Sequence, residues 1–205
     1  MKIRDSGMPD EKMWASFFDP ERILKEMGVT GSVRMVVDLG SGYGTFTLSA
    51  ANLTGRIVHA FDMEPAMMAH LKARIEQLRL DNIVLHCRDF IAEGTGLPDE
   101  SVDYVMLFNV MHHIRPLDLL KEARRILRPC GLVGIIHWRS DIETPRGPQL
   151  DIRPTPHQCR QYAEQAGFVT VAEKLLPPYH FGLLVQKRDG DTSTEQHNRG
   201  NLLTV

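Results

Sequence analysis

The chain has 205 residues, 42% of them hydrophobic, and 24 basic against 26 acidic residues give a formal net charge of −2. That is enough apolar material for one sizeable core and too little for two comfortable domains. The near-neutral balance contains no long basic run, so nucleic acid is not an expected partner, and no apolar run approaches the roughly 20 residues that span a bilayer.

Met1 to Asp10 is polar and lacks an apolar signal core, which points to a cytoplasmic protein. Cys87, Cys130 and Cys159 are far apart and form no CxxC pair. Neither a disulfide framework nor a structural zinc site is expected. The nine histidines contain no HxH or HxxxH pair, so no metal site is expected either.

In chain order, Trp14–Met27 reads as an amphipathic helical segment, with Asp19-Pro20 as a cap and first turn. Met35–Leu39 is a short apolar run ending at a glycine loop, hence a buried strand. Thr45–Leu53 follows as a helix, Ile57–Phe61 as a strand and Glu64–Leu78 as a helix. In that helix Met68, Leu71, Ile75 and Leu78 recur three or four apart. Ile83–Leu85 and Val102–Phe108 are further strands. Leu117–Leu127 is helical and stops before Pro129-Cys130-Gly131, a turn signal, and Leu132–Trp138 is the fifth strand. Thr155–Ala166 is a helix with Thr155 as cap and Pro156 in the first position. Val169–Leu176 and Phe181–Gln186 close the series, separated only by a reversal at Pro177-Pro178.

Strands alternating with helices predict an α/β fold: one seven-stranded, mostly parallel sheet with helices on both faces. The last pair of strands has no room for a crossover helix, so the final strand is expected antiparallel. Residues 189–205 are polar until their last few positions and read as a flexible tail.

The strongest chemical signal is Val36-Val-Asp-Leu-Gly-Ser-Gly-Tyr-Gly44, a strand entering a loop with glycines at 40, 42 and 44. Glycine removes the Cβ where a ligand approaches the backbone, and the next helix offers free N–H groups. The spacing is GxGxG, not the GxGxxG usual for dinucleotides. Asp62 ends the second strand, beside the ligand crevice of an open α/β sheet, where a carboxylate can accept both hydroxyls of a ribose. Its plain alternative is a cap for the helix starting at Glu64. Asp89-Phe90 follows the third strand at the same edge. There an Asp can accept from an adenine amino group while a backbone N–H meets a ring nitrogen. An ordinary loop role is the alternative.

With those residues in place, the sequence resembles the class I, Rossmann-like S-adenosylmethionine-dependent methyltransferases. Asp38-Leu-Gly-Ser-Gly-Tyr-Gly44 resembles their first motif and Phe61-Asp-Met-Glu-Pro65 their second. Arg88-Asp-Phe90, Leu97 to Val105 and Asn109-Val-Met-His-His113 resemble the third and fourth. Leu127-Arg-Pro-Cys-Gly131 and Ala166-Gly-Phe168 resemble the turns before later strands, with Cys130 where the family usually has glycine. The resemblance runs from about Val33 to Lys187, nearest to the small-molecule branch with quinone-biosynthesis and arsenite methyltransferases.

The resemblance implies a methyltransferase domain over 31–188, S-adenosylmethionine as cofactor, S-adenosylhomocysteine as product and a small-molecule acceptor. By position, Asp38, Gly40, Gly42 and Gly44 would surround the methionine part. Asp62 would hold the ribose, Met63 would pack on the adenine, Asp89 and Phe90 would read its edge, and Asn109 would line the methionine end. The arsenite branch's thiolate chemistry is not carried over, because the three cysteines do not converge on one mouth.

On the acceptor side, Asn109–His113, His137–Asp141 and Pro177–His180 should surround one mouth. His113, Tyr179 and His180 are the candidate catalytic groups. The alternatives are structural hydrogen bonding for His112 and His113 and ordinary strand-start roles for Tyr179 and His180. Residues 1–30, carrying Trp14, Phe17 and Phe18, are a candidate lid, or plain core packing. Three other functions stay open: an NAD-dependent oxidoreductase, a non-catalytic nucleoside-binding module, and a protein or RNA methyltransferase with a partner subunit.

Overall fold

The computed structural model describes residues 7–188. The expected tail at 189–205 lies outside the described residues.

Seven strands form a single sheet: β1 (Met35–Leu39), β2 (Ile57–Asp62), β3 (Ile83–Cys87), β4 (Val102–Phe108), β5 (Leu127–Trp138), β6 (Phe168–Leu176) and β7 (His180–Lys187). Their order is β3-β2-β1-β4-β5-β7-β6. The pairs β1–β2, β1–β4, β2–β3 and β4–β5 are parallel, as the helical crossovers require. β7 is antiparallel to both neighbours, with Trp138 opposite His180 and Leu176 opposite His180 on its other side. The expected antiparallel last strand is present, and it is inserted between β5 and β6.

Strand alternation sorts the core into two layers. Val37, Leu39, Val105, Leu107, Val133 and Ile135 face α5 (Pro116–Ile126) and α6 (Pro156–Gln165). Val36, Val58, Tyr104, Met106 and Ile136 face α2 (Pro20–Glu26) and α3 (Thr45–Thr54). Ala60 on the same face meets Met68 and Leu71 of α4 (Pro65–Leu78). α6 carries the expected cap in full: Thr155 accepts from Gln158 N, and the Gln158 side chain returns to Thr155 N.

The N-terminal helical segment is two helices, α1 (Glu11–Ala15) and α2, broken where Asp19-Pro20 reads as a cap. Asp19 is the cap of the second helix: Oδ1 accepts from Arg22 N at 3.2 Å and Pro20 opens the first turn. A residue preceding proline is pushed out of the helical region, and Asp19 is extended at φ −106, ψ 91. So the cap signal read in the middle of the apolar stretch begins a new helix. α2 is core, with Ile23 and Leu24 fully buried.

One correction concerns Pro129-Cys130-Gly131. They lie inside β5 as an excursion: pairing to β4 runs Val102–Leu127 and resumes at Tyr104–Leu132. Cys130 has φ +61, and a Cβ on Gly131 would sit 2.9 Å from the Arg128 carbonyl oxygen. The turn chemistry is real, but the sheet resumes on both sides of it.

Candidate active site

The order β3-β2-β1-β4-β5 makes the β1/β4 boundary the switch point, because the chain leaves these neighbours in opposite directions. A cavity opens there at the strand carboxyl ends. It is lined by Asp38, Gly40, Gly42, Asp62, Met63, Asp89, Phe90 and Asn109 among others. These are all of the sequence-assigned cofactor residues except Gly44.

The loop after β1 is held to β2. Gly40 N and Ser41 N both donate to the Phe61 carbonyl, at 2.8 and 2.9 Å. A Cβ on Gly40 would come 2.5 Å from Val110 Cγ1, and one on Gly44 would come 2.3 Å from Leu71 Cδ1. Both glycines also sit at positive φ, +88 and +82. Here the loop needs glycine for conformation and for close packing. Gly44 thus shapes the loop from behind, without lining the cavity.

Asp62 combines both of its sequence readings. Oδ2 accepts from Gly42 N at 3.0 Å and Oδ1 from Glu64 N at 2.9 Å. The carboxylate ties the glycine loop to the turn into α4 and still borders the cavity. Asp38 is 3% exposed and accepts from Thr47 Oγ1 at 2.6 Å. Burial pushes its carboxyl up to about 7; the Thr47 bond opposes this, and the nearby Asp62 charge adds to it.

Asp89 Oδ1 accepts from Ile91 N and Ala92 N at 3.1 and 3.0 Å, so it shapes its own turn as well as facing the cavity. The Phe90 N–H donates to the Arg88 carbonyl at 3.1 Å, so that donor is used internally. Asn109 is held at φ +58 by a bond from its N–H to the Ile136 carbonyl. Its side-chain Oδ1 and Nδ2 are both buried with no hydrogen-bond partner. Such groups cost about 1–3 kcal/mol when left unsatisfied, so a buried orphan amide in a cavity wall points to a ligand.

The catalytic candidates separate. His113 lines the cavity, and its Nδ1 accepts from Arg115 N at 3.0 Å. Tyr179 and His180 do not line it; both stand behind Trp138. Tyr179 stacks on Trp138 with ring centroids 6.1 Å apart. His180 is 1% exposed, between Phe18 at 4.6 Å and Trp138 at 4.2 Å. Burial, with the Arg153 charge adding to it, lowers His180 to about 3. Among the lid candidates Trp14 lines the cavity, while Phe17 and Phe18 pack on Trp138 and Phe46 behind it.

Sequence reasoning missed Phe46 and Phe108 as cavity wall and His112 as part of a buried pair, while Trp138 falls within the expected mouth segment His137–Asp141. The signal for Trp138 and Phe108 was their position as the last residues of their strands. Phe46 had only its place in the first turn of α3.

Carboxylates are the charged groups that stand out in the cavity's described lining. Asp38, Asp62, Glu64 and Asp89 line the cavity, and among the described residues no lysine or arginine does. Switch-point position, glycine loop and acidic lining define a Rossmann-like domain for a cationic nucleoside ligand. Residues 36–131 match the family described as a methyltransferase domain. A solved S-adenosylmethionine-dependent methyltransferase from Aquifex aeolicus superposes with a TM-score of 0.78 at 26% identity, over 87% of this chain and 94% of that one. An uncharacterised methyltransferase of Mycobacterium tuberculosis is 32% identical over 126 residues, 62% of this chain and 47% of its own length. A ubiquinone biosynthesis O-methyltransferase of Histophilus somni is 26% identical over 60% of this chain and 58% of its own. The chain spans about half the length of the curated relatives it matches. The fold and these likenesses support a class I S-adenosylmethionine-dependent methyltransferase domain. S-adenosylmethionine is the cofactor of that class, and the acidic cavity with its orphan amide fits a ligand that carries a sulfonium and an ammonium.

Proposed function

We propose that this protein transfers a methyl group from S-adenosylmethionine to a small-molecule acceptor. The observation that carries the reading is the lining of the cavity: four carboxylates and no described lysine or arginine. A dinucleotide would bring an anionic pyrophosphate into that field, whereas S-adenosylmethionine brings a sulfonium and an ammonium against a single carboxylate, a net positive charge. At an effective dielectric of about 20, one such pair at 4 Å is worth about 4 kcal/mol before desolvation, enough to choose between the two ligands.

In this reading Asp38, Gly40, Gly42 and Asn109 hold the methionine half, with Asp38 and Asn109 meeting its ammonium and carboxylate. Asp62 takes the ribose hydroxyls where its carboxylate borders the cavity. Met63, Asp89 and Phe90 hold the adenine. Gly44 supports the loop. The sulfonium supplies an activated methyl, so the protein's task is to orient the acceptor and exclude water.

The acceptor end is walled by Trp14, Phe46, Phe108 and Trp138. This suits a compact, partly apolar molecule rather than an extended chain. α1 serves as the lid: Tyr43 Oη donates to the Pro9 carbonyl at 3.1 Å, and Glu11 pairs with His70 and Arg74 of α4. These contacts bring Met8 and Trp14 over the cavity. Among the described residues no helix is long and apolar enough to cross a membrane.

The test has two parts. Titration calorimetry should show one S-adenosylhomocysteine per chain and no NADH. Incubation with methyl-labelled S-adenosylmethionine and the low-molecular-mass fraction of a cell extract should give a labelled small molecule by mass spectrometry. Binding of neither cofactor form to folded protein overturns the reading. Label appearing only on protein or RNA overturns the small-molecule part.

A further inference from the structure

At the carboxyl end of β5, His137 is fully buried, and its Nδ1 lies 3.2 Å from the Trp138 carbonyl oxygen. A carbonyl only accepts, so this contact requires the proton on His137 Nδ1. Burial, and then the neighbouring His112, His180 and Arg153, hold His137 well below the ordinary histidine range, so the ring is neutral. A neutral ring protonated at Nδ1 carries its lone pair on Nε2. That nitrogen lies 3.1 Å from His112 Nδ1. His112 then donates from Nδ1, and in its neutral form its lone pair lies on Nε2.

His112 also lines the cavity, on the same strand-to-helix connection as Asn109. A buried histidine pair inside a core could have either tautomer. Here the Trp138 carbonyl orders the chain in one sense, from the backbone out to the cavity wall. This is the arrangement of a base oriented by a second group and that group by a third.

Resting on the methyl-transfer reading above, we propose that His112 Nε2 is the general base of the reaction, with His137 as the positioning residue that sets its tautomer. The acceptor is then one whose attacking oxygen or nitrogen carries a proton: an alcohol, phenol or amine. The acceptor's lone pair forms the new bond to the methyl carbon as the carbon–sulfur bond breaks. The electron pair of that bond stays on sulfur, leaving a neutral thioether. The heteroatom's proton goes to His112 Nε2, and the resulting imidazolium keeps its Nδ1–H on the His137 lone pair until the proton passes to water. No oxidant or reductant is needed.

The groups that bear on the pair are His180 from β7, Arg153 from the segment before α6, His113 beside it in sequence, and the cavity carboxylates Asp38, Asp62, Glu64 and Asp89. Arg153 donates to the carbonyls of Pro148, Arg139 and Arg146 and lies 5.7 Å from the centroid of the Trp138 ring. It favours neutral rings at His137 and His180.

Nitrogen-15 NMR of histidine-labelled protein, with and without S-adenosylhomocysteine, reads the tautomers without needing the acceptor. The expected result at neutral pH is His137 and His112 both protonated at Nδ1 and bare at Nε2. His112 protonated at Nε2 overturns the proposal whatever the activity. Once a labelled product is found, H112Q should lower kcat by about 100-fold with little change in KM and remove the acidic limb of the pH profile. H137F should lower kcat and shift that limb, and free imidazole should partly restore H112A. Calorimetry with S-adenosylhomocysteine checks that each variant is folded. A folded H112Q that keeps the wild-type acidic limb overturns the proposal. Wild-type protein that transfers no methyl group overturns the methyl-transfer reading, and with it the base that rests on it. Loss of cofactor binding in wild type alone would instead strike the underlying cofactor assignment.

Discussion

Asp62 and Gly42, twenty residues apart in the chain, are joined by one bond: Gly42 N donates to Asp62 Oδ2 at 3.0 Å. The carboxylate assigned to the ribose is therefore also the anchor of the glycine loop. Ligand contact and loop geometry rest on the same side chain.

That coupling sharpens what Asp62→Ala should do. Removing the acceptor should weaken S-adenosylhomocysteine at least tenfold, since each charge-assisted bond is worth about 1.5–3 kcal/mol. It should also cost the empty protein about 1–2 kcal/mol, because Gly42 N and Glu64 N lose their partner. Calorimetry and thermal unfolding on the same variant measure both. Unchanged affinity with lowered stability would leave Asp62 as a loop anchor alone.

Asp38 sets a pH dependence whose sign follows from burial. Its carboxyl is raised from 3.8 to about 7. The folded state thus holds a proton that the unfolded chain has lost between those values. Stability of the empty protein should fall as pH rises through that window and level off above it. The cofactor's ammonium favours ionised Asp38, so affinity for S-adenosylhomocysteine should rise by up to about tenfold per pH unit below pH 7 and then plateau. Asp38→Asn should flatten the curve. Titrations from about pH 5.5 to 8 decide it.

Asn109 offers the opposite separation. Its amide has no partner in the cavity wall and its φ is +58. Asn109→Gly keeps the backbone conformation accessible and removes the orphan amide. The empty variant should keep its stability to within about 1 kcal/mol, and cofactor affinity should drop about tenfold, one lost hydrogen-bonding group. Equal affinity in the variant would remove Asn109 from the cofactor site.

The lid prediction changes with the break at Asp19. Residues 7–15 carry the cavity-facing Met8 and Trp14, whereas α2 is core. Deleting residues 1–15 should leave the Asp19 cap and a folded sheet, while deletion past Ile23 should unfold the domain. Acceptor turnover in the shorter deletion should fall much further than S-adenosylhomocysteine affinity, because Trp14 stands with Trp138 at the acceptor end. Loss of several kcal/mol of stability with no excess effect on turnover, as for a buried aromatic in a core, would make α1 plain packing.

Most of the fold was legible in the sequence because period and punctuation are local. The glycines at 40, 42 and 44, the Thr155-Pro156 cap and the apolar runs of β1, β2 and β4 each fall where the residues say. The residues that line the cavity were legible because they sit at strand ends, and strand ends follow from the same local signals. Trp14–Met27 and Pro129–Gly131 are places where one local signal is weighed against another. In the first, the Asp19-Pro20 cap outranks a continuous apolar stripe. In the second, pairing with β4 carries the strand through a turn.

What the sequence by itself determined was the class of fold, the glycine loop that lines the cavity and the carboxylates beside it. Each depends on residues a few positions apart. Only the tertiary structure decided which histidines face the cavity, because that depends on how β7 inserts between β5 and β6. The insertion sets Trp138 opposite His180, so the indole screens His180 and Tyr179 from the cavity that His113 lines. It was likewise the packing of β5 against the connection after β4 that brought His112 to 3.1 Å from His137, 25 residues away. A proton's position on one ring is set there by a carbonyl two hydrogen bonds distant, and long-range pairing of this kind has no periodic trace in a sequence.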